Sequence, residues 1–225
     1  MGLLFSSKAA AVAAKELRSE FRRRYSLSAL LLFLLTTIVF AAFSISGETA
    51  SPKFASALYW IIMFFAGLAG LEKTFVAEFE RSTVLFLKLY CPPSAIYFGK
   101  LFYNVIIAIA LSLLSVPLFF LFIRSQSCVS PAMFLVVSLL GSCGLATAST
   151  IVSAIIARAG SRNALFPILA FPLLLPLLLI ASDATQTTFY SAAADDFTEN
   201  LALIVSYIGI VAPVSYLLFE FVWND

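Results

Sequence analysis

Charged side chains gather in Gly67–Ser94, GLAGLEKTFVAEFERSTVLFLKLYCPPS, where Glu72, Glu78 and Glu80 stand among Lys73, Arg81 and Lys88. Three carboxylates this close would suit proton transfer. However, the chain has no histidine to act as a base or metal ligand at neutral pH. Without histidine, cysteine or serine partners, a solvated helix face is the plainer reading of these acids. Gly67–Thr74 approaches the phosphate-loop pattern G-x-x-x-x-G-K-[ST], but Glu72 stands where the second glycine belongs. Its carboxylate would repel phosphate, and the segment follows an apolar run instead of a strand. Any ATP hydrolysis therefore belongs to another chain. Cys91, Cys128 and Cys143 fall in different parts of the sequence, which indicates neither a disulfide framework nor a zinc site. Methionine is scarce (Met1, Met63, Met133) and offers haem iron little to bind. No catalytic, cofactor-binding or metal site is expected in this chain.

The elements around these charges are membrane spans. The 225 residues are 62% hydrophobic and 12% charged, with a mean hydropathy of +1.03. A soluble domain of this size needs a larger charged surface. Apolar runs long enough to cross a bilayer recur along the chain. The expected fold class is all-α, a polytopic membrane protein with six transmembrane helices: Leu27–Ile45, Phe54–Leu71, Leu101–Ile123, Pro131–Ala157, Ala164–Ala181 and Leu201–Val222. Residues 1–26 form a separate unit, a basic amphipathic helix at the membrane interface. Its Ala13, Leu17 and Phe21 lie on one side, and Lys8, Lys15, Arg18 and Arg22 on the other. Residues 27–225 form the transmembrane domain, with a polar loop at 72–94.

Lys and Arg fix the expected orientation. Twelve lie in the N-terminal segment, the 72–100 region and the 158–163 turn, and only Lys53 and Arg124 on the opposite side. The positive-inside rule then makes both termini cytoplasmic. The opposite loop, Ser182–Asn200, is acidic, and Asp195 or Asp196 would cap the last helix. Tyr25, Tyr59, Trp60, Tyr97, Tyr190 and Trp223 read as an aromatic belt. The small residues of the fourth span, among them Gly141, Ser142 and Gly144, predict close helix packing. Pro167, Pro172 and Pro176 in the fifth predict bends, of a kind that also marks substrate sites in some carriers. No span carries a charge near its middle, which argues against an ion-coupled carrier.

In the loop, Phe75, Phe79, Ser82 and Phe86 fall at helical spacing, so one face of a short helix would be apolar. Such a helix between two spans is placed to dock on a cytoplasmic subunit. Phe75 and Phe79 would anchor it, and Glu72, Glu78, Glu80 and Arg81 would set the register.

Three stretches carry a resemblance: KELRSEFRRRY at Lys15–Tyr25, LEKTFVAEFERSTVLFLKLYCPPSAIYFGKL at Leu71–Leu101, and LLGSCGLATASTIVSAIIARAGSRNALFPILAFPLLLPLLL at Leu139–Leu179. Together they resemble the CcmB family, the permease subunit (haem exporter protein B) of the ABC-type cytochrome c maturation system. The resemblance implies a six-span, ABC-2-like permease of the bacterial inner membrane with an N-terminal interfacial helix and a coupling helix within Glu72–Leu89. It also implies a CcmA-like ATPase that binds the ATP, CcmC-like and CcmD-like membrane proteins, and a CcmE-like periplasmic chaperone that receives haem. The alternative is an ABC-2-like permease for another substrate, such as a lipid or polysaccharide. A chain with no histidine and no buried charge, as expected here, has poor means of holding haem iron. It is better suited to transmitting force from the ATPase than to conducting haem.

Overall fold

A computed structural model describes residues 2–22, 24–45, 49–80, 83–123, 128–159, 165–190 and 194–224. Side chains 2–7, 24–27, 73, 80, 159, 165, 166, 194–196 and 224 are excepted. The described residues form nine helices: α1 Gly2–Arg22, α2 Arg24–Ser44, α3 Pro52–Leu71, α4 Lys73–Glu80, α5 Val84–Tyr90, α6 Pro93–Phe122, α7 Pro131–Ala159, α8 Leu165–Thr187 and α9 Ala194–Asn224. The chain is an all-α polytopic membrane protein. Five stretches are long and apolar enough to span a bilayer, Pro52–Phe79, Pro93–Phe122, Pro131–Arg158, Pro167–Thr187 and Phe197–Trp223. The apolar part of α2, Ser28–Ser44, is shorter.

Local signals place several boundaries. Ser51 accepts the Phe54 N–H and Pro52 opens α3, so its missing N–H costs no hydrogen bond. Pro117, Pro172, Pro176 and Pro213 lie inside helices that continue through them. The expected loop Ser182–Asn200 is shorter than the acidic composition suggested, because α8 runs on to Thr187 and α9 begins at Ala194. The Asn200 amide donates to Asp183 across the gap. The proposed caps Asp195 and Asp196 lie in the first turn of α9, with side chains outside the described residues.

The bundle is organised around α7, which packs on α3, α4, α6, α8 and α9. In its apolar window 72% of residues are buried, against 11% for α9, which turns most of its surface outward. Small residues make this centrality possible. A Cβ on Gly141 would penetrate the Trp60 ring, and one on Gly144 would lie 2.7 Å from Leu177 Cδ2. The fourth span is therefore a packing seam, as its composition predicts. Ser142 and Thr147 bond their own helix carbonyls, at Leu139 and Cys143.

At one end of the bundle a hydroxyl cluster joins three helices. The Tyr59 hydroxyl of α3 bonds Ser115 of α6 at 2.9 Å and also Ser138 of α7, which bonds Ser112 at 2.5 Å. The Trp60 indole N–H donates to Thr185 of α8 at 2.8 Å. Tyr59 and Trp60 are buried, so they are core residues and not members of an aromatic belt. Tyr97 and Trp223 are buried likewise. Buried hydroxyl and indole groups need partners, and those of Tyr59 and Trp60 find them between helices. Gly141→Leu should push the Trp60 ring off Thr185 and destabilise the detergent-solubilised chain by about 1–3 kcal/mol, read from its unfolding transition. Gly209, with nothing within 4 Å of an added Cβ, should accept alanine without loss.

Candidate functional site

The polar segment between α3 and α6 folds as two short helices, not one. At the break the Thr83 N–H donates to the Glu78 carbonyl at 3.0 Å, closing α4 before α5 begins. The single apolar face expected for Phe75, Phe79, Ser82 and Phe86 is thereby split. Phe75 is fully buried, with its ring centroid 5.3 Å from that of Phe219 and 6.1 Å from that of Trp223. Phe79 packs edge-on against Trp223 at 6.4 Å. Both rings thus hold the C-terminal end of α9, and burial removes Phe75 from any docking surface. Ser153 of α7 supports the same junction: it donates to the Glu72 carbonyl at 2.7 Å and accepts the Phe75 N–H at 3.2 Å. That N–H is one of the helix-terminal donors that α4 cannot satisfy itself.

Glu78, expected on a solvated face, is 4% exposed. It belongs to a closed ring of alternating charge with Lys15 and Glu16 of α1 and Lys100 of α6. Lys100 has no exposed surface, and its ammonium donates to Glu16 Oε1 at 2.9 Å, Thr74 O at 2.6 Å and Glu78 Oε1 at 3.4 Å. A lysine has three N–H donors, so all are used. The Phe75 ring covers the same ammonium, with its centroid 4.9 Å away. Lys15 reaches Glu78 Oε1 at 2.5 Å and Glu16 Oε1 at 3.5 Å. Thr83 donates to the other Glu78 oxygen. Two lysines and two glutamates sum to zero charge, which offsets the cost of burying Lys100 and Glu78, while Lys15 stays partly exposed.

One turn beyond Lys100, Asn104 extends this network into the bundle. Its Oδ1 accepts from Thr74 at 2.7 Å and its Nδ2 donates to Thr150 of α7 at 2.8 Å. α1 reaches the ring through a close approach: a Cβ on Gly99 would lie 2.7 Å from Val12 Cβ and 2.8 Å from the Ala9 carbonyl. The face α1 buries therefore centres on Val12 and Ala13, while Phe21, expected on that face, is 69% exposed. Lys15, expected on the opposite polar face, turns toward Glu78 instead.

Of the six residues expected at a partner surface, Glu72 is half-buried at the α3–α4 junction, Phe75 and Glu78 are buried, and Phe79 is half-buried. The Glu80 side chain and Arg81 lie outside the described residues. The exposed apolar surface lies further along, on α5, where Leu85, Phe86, Leu89 and Tyr90 are all more than 60% exposed. Phe86 and Tyr90 stack at 5.1 Å. Lys8 of α1 donates to the Tyr90 carbonyl at 3.1 Å, and the Lys88 ammonium lies 5.7 Å from the Trp223 ring centroid.

Counted in the sequence only among the bases of the 72–100 region, Lys100 is a buried charge of α6. A signal existed: Lys100, Asn104, Ser112 and Ser115 recur near helical spacing in an otherwise apolar run. A polar stripe of that kind marks the face turned from lipid. Lys100→Met should cost about 3–5 kcal/mol, because it strands buried carboxylates. Lys15→Met, at a side chain 46% exposed, should cost less than about 1 kcal/mol. Unfolding of the two purified variants compares them. Burial lowers the affinity of Lys15 for its proton, but the hydrogen bond to Glu78 and the charges of Glu16 and Glu78 outweigh that and raise its pKa above the ordinary 10.5. Its contribution should therefore be complete below pH 10.5 and lost as pH rises through the raised value.

Among the described residues no group of three or more His, Cys, Asp or Glu side chains could hold a metal ion. The three cysteines are free thiols. No curated protein matches the chain. The CcmB protein family matches residues 7–219, nearly the whole length. With five apolar spanning helices and this match, the chain belongs to the CcmB family, a membrane permease component of the haem export and cytochrome c maturation system.

Proposed function

We propose that the chain transmits ATP hydrolysis by a CcmA-like subunit to haem delivery, by driving release of the haem-loaded CcmE-like chaperone. In this reading it sits in the bacterial inner membrane with both termini cytoplasmic, beside CcmC-like and CcmD-like proteins, and is not itself the haem conduit. The observation that carries the reading is the surface of α5. None of its seven residues is buried, and four apolar side chains stand exposed on it, next to the most heavily charged part of the fold. An apolar helix of this kind, rimmed by Lys8 and Lys88, suits an apolar recess with acidic edges on a soluble subunit. The docking surface then centres on Leu85, Phe86, Leu89 and Tyr90, with Glu80 and Arg81 leading into it. Phe75, Glu78 and Phe79 lie behind it and hold it in place.

Two features favour force transmission over haem conduction. The sequence contains no histidine, and the buried polar groups of both networks spend their hydrogen bonds on one another. A second reading draws on an apolar groove of about 520 Å³ between α3 and α8, lined in part by Ile61, Phe65, Ile168 and Phe171. Such a groove would accept an acyl chain, as a permease for a lipid would require.

Phe86→Asp should abolish copurification of the ATPase while the chain remains inserted. Phe79→Asp should act more weakly on docking and more strongly on stability, since Phe79 packs against Trp223. Covalent haem on the chaperone, measured in cells lacking this chain, decides the role. A loaded chaperone with no mature c-type cytochromes supports release, and an empty chaperone shows that the chain is needed for haem supply.

A further inference from the structure

The ring Lys15–Glu78–Lys100–Glu16 ties α4 to α1 and the start of α6, two helices that already pack closely on each other at Gly99. Like Glu78, which meets Lys15 of α1 and Lys100 of α6, Lys100 touches all three: from its place in α6 its donors reach Glu16 of α1 and, in α4, the Thr74 carbonyl and Glu78. We propose that Lys100 is a positioning residue for coupling: it locks α1, α4 and α6 into one body, so that a load applied at α5 moves α6 instead of tilting α4 alone.

Geometry supports this role. α4 is eight residues long, too short to be a stable helix without tertiary contacts. Its charged contacts to α6 and α1 run through Glu78, whose second oxygen is held by Thr83 at the approach to α5. A displacement of α5 therefore reaches Glu78 through five residues and Lys100 through one further contact. From Lys100 the path continues in α6 to Asn104, which bonds Thr150 of α7, the helix on which most of the bundle packs. Opposite charges in a buried ring resist separation more than apolar contacts do, because parting them exposes an uncompensated charge to a low dielectric. Such a connection is stiff, as coupling across packed elements requires.

The proposal rests on the reading that an ATPase docks at α5, and its test separates the two. The variant is Lys100→Met combined with Glu78→Gln, which opens the ring but leaves Lys15 and Glu16 as a neutral pair. It is expressed with the complete set of partner proteins, and three quantities are read: ATPase copurified with the chain, ATP hydrolysed by the purified complex, and mature c-type cytochromes in the membrane. The expected result is retained ATPase, continued hydrolysis and a fall in c-type cytochromes of about tenfold or more, in the range of ordinary coupling effects. Lys100→Arg, which keeps the charge, should retain more cytochrome than the double variant. Cytochromes at the wild-type level in the double variant would overturn the proposal. So would loss of the ATPase from an inserted double variant, since Lys100 would then serve docking and not transmission. If neither the double variant nor Lys100→Arg accumulates, the ring is a folding element only, which also overturns it. A wild-type chain that retains no ATPase, or an unaffected Phe86→Asp, would instead refute docking at α5.

Discussion

A fully buried ammonium is costly, and the end of this bundle that carries α1, α4 and α5 is built around one. Moving a charge out of water carries a penalty of several kcal/mol unless every donor finds an acceptor. Lys100 meets that demand only if α1 brings Glu16, α4 brings both Glu78 and the Thr74 carbonyl, and Phe75 closes over the remaining face. These requirements fix where α1 and α4 lie against the start of α6. The aromatic packing of α9 follows, because Phe75 under Lys100 is also the ring against which Phe219 and Trp223 settle.

The opposite end solves a different problem with neutral groups. Tyr59, Ser112, Ser115 and Ser138 exchange hydrogen bonds among α3, α6 and α7, and Trp60 bonds Thr185 of α8. In lipid there is little hydrophobic force between helices, so close contact and shared hydrogen bonds do the holding. Glycines of α7 provide the contact, since Gly141 admits the Trp60 ring and Gly144 admits Leu177. The bundle thus has one end joined by buried charges and another joined by neutral hydroxyl and indole groups.

The docking element illustrates why a face predicted from spacing alone can be half right. Helical periodicity places Phe75, Phe79 and Phe86 together, and it is correct within α4. It fails across Thr83, whose N–H bonds the Glu78 carbonyl where α4 has ended and α5 has not begun. The apolar side chains before the break then serve the interior, and those after it, Phe86 among them, stay outside. Charge misleads in the same place. Glu78 resembles its neighbours in sequence, yet it is buried against a lysine from a helix that begins well after it.

The all-α class, the recurrence of apolar spans, the packing role of the glycine-rich α7 and the family resemblance were legible in the residues. Each depends on composition or local period, which bilayer thickness and backbone hydrogen bonding translate directly into helices. Which buried polar groups meet was not legible. Lys100 and Glu78 lie 22 positions apart, and Glu16 lies 84 from Lys100. Tyr59 meets Ser138 across 79. The polar stripe of α6 marks the face on which Lys100 lies but not its partners, because these depend on whether acceptors from other helices arrive at the same point. Tertiary packing brings them there, and so it decides that the charged loop is a buried ring behind an exposed apolar helix.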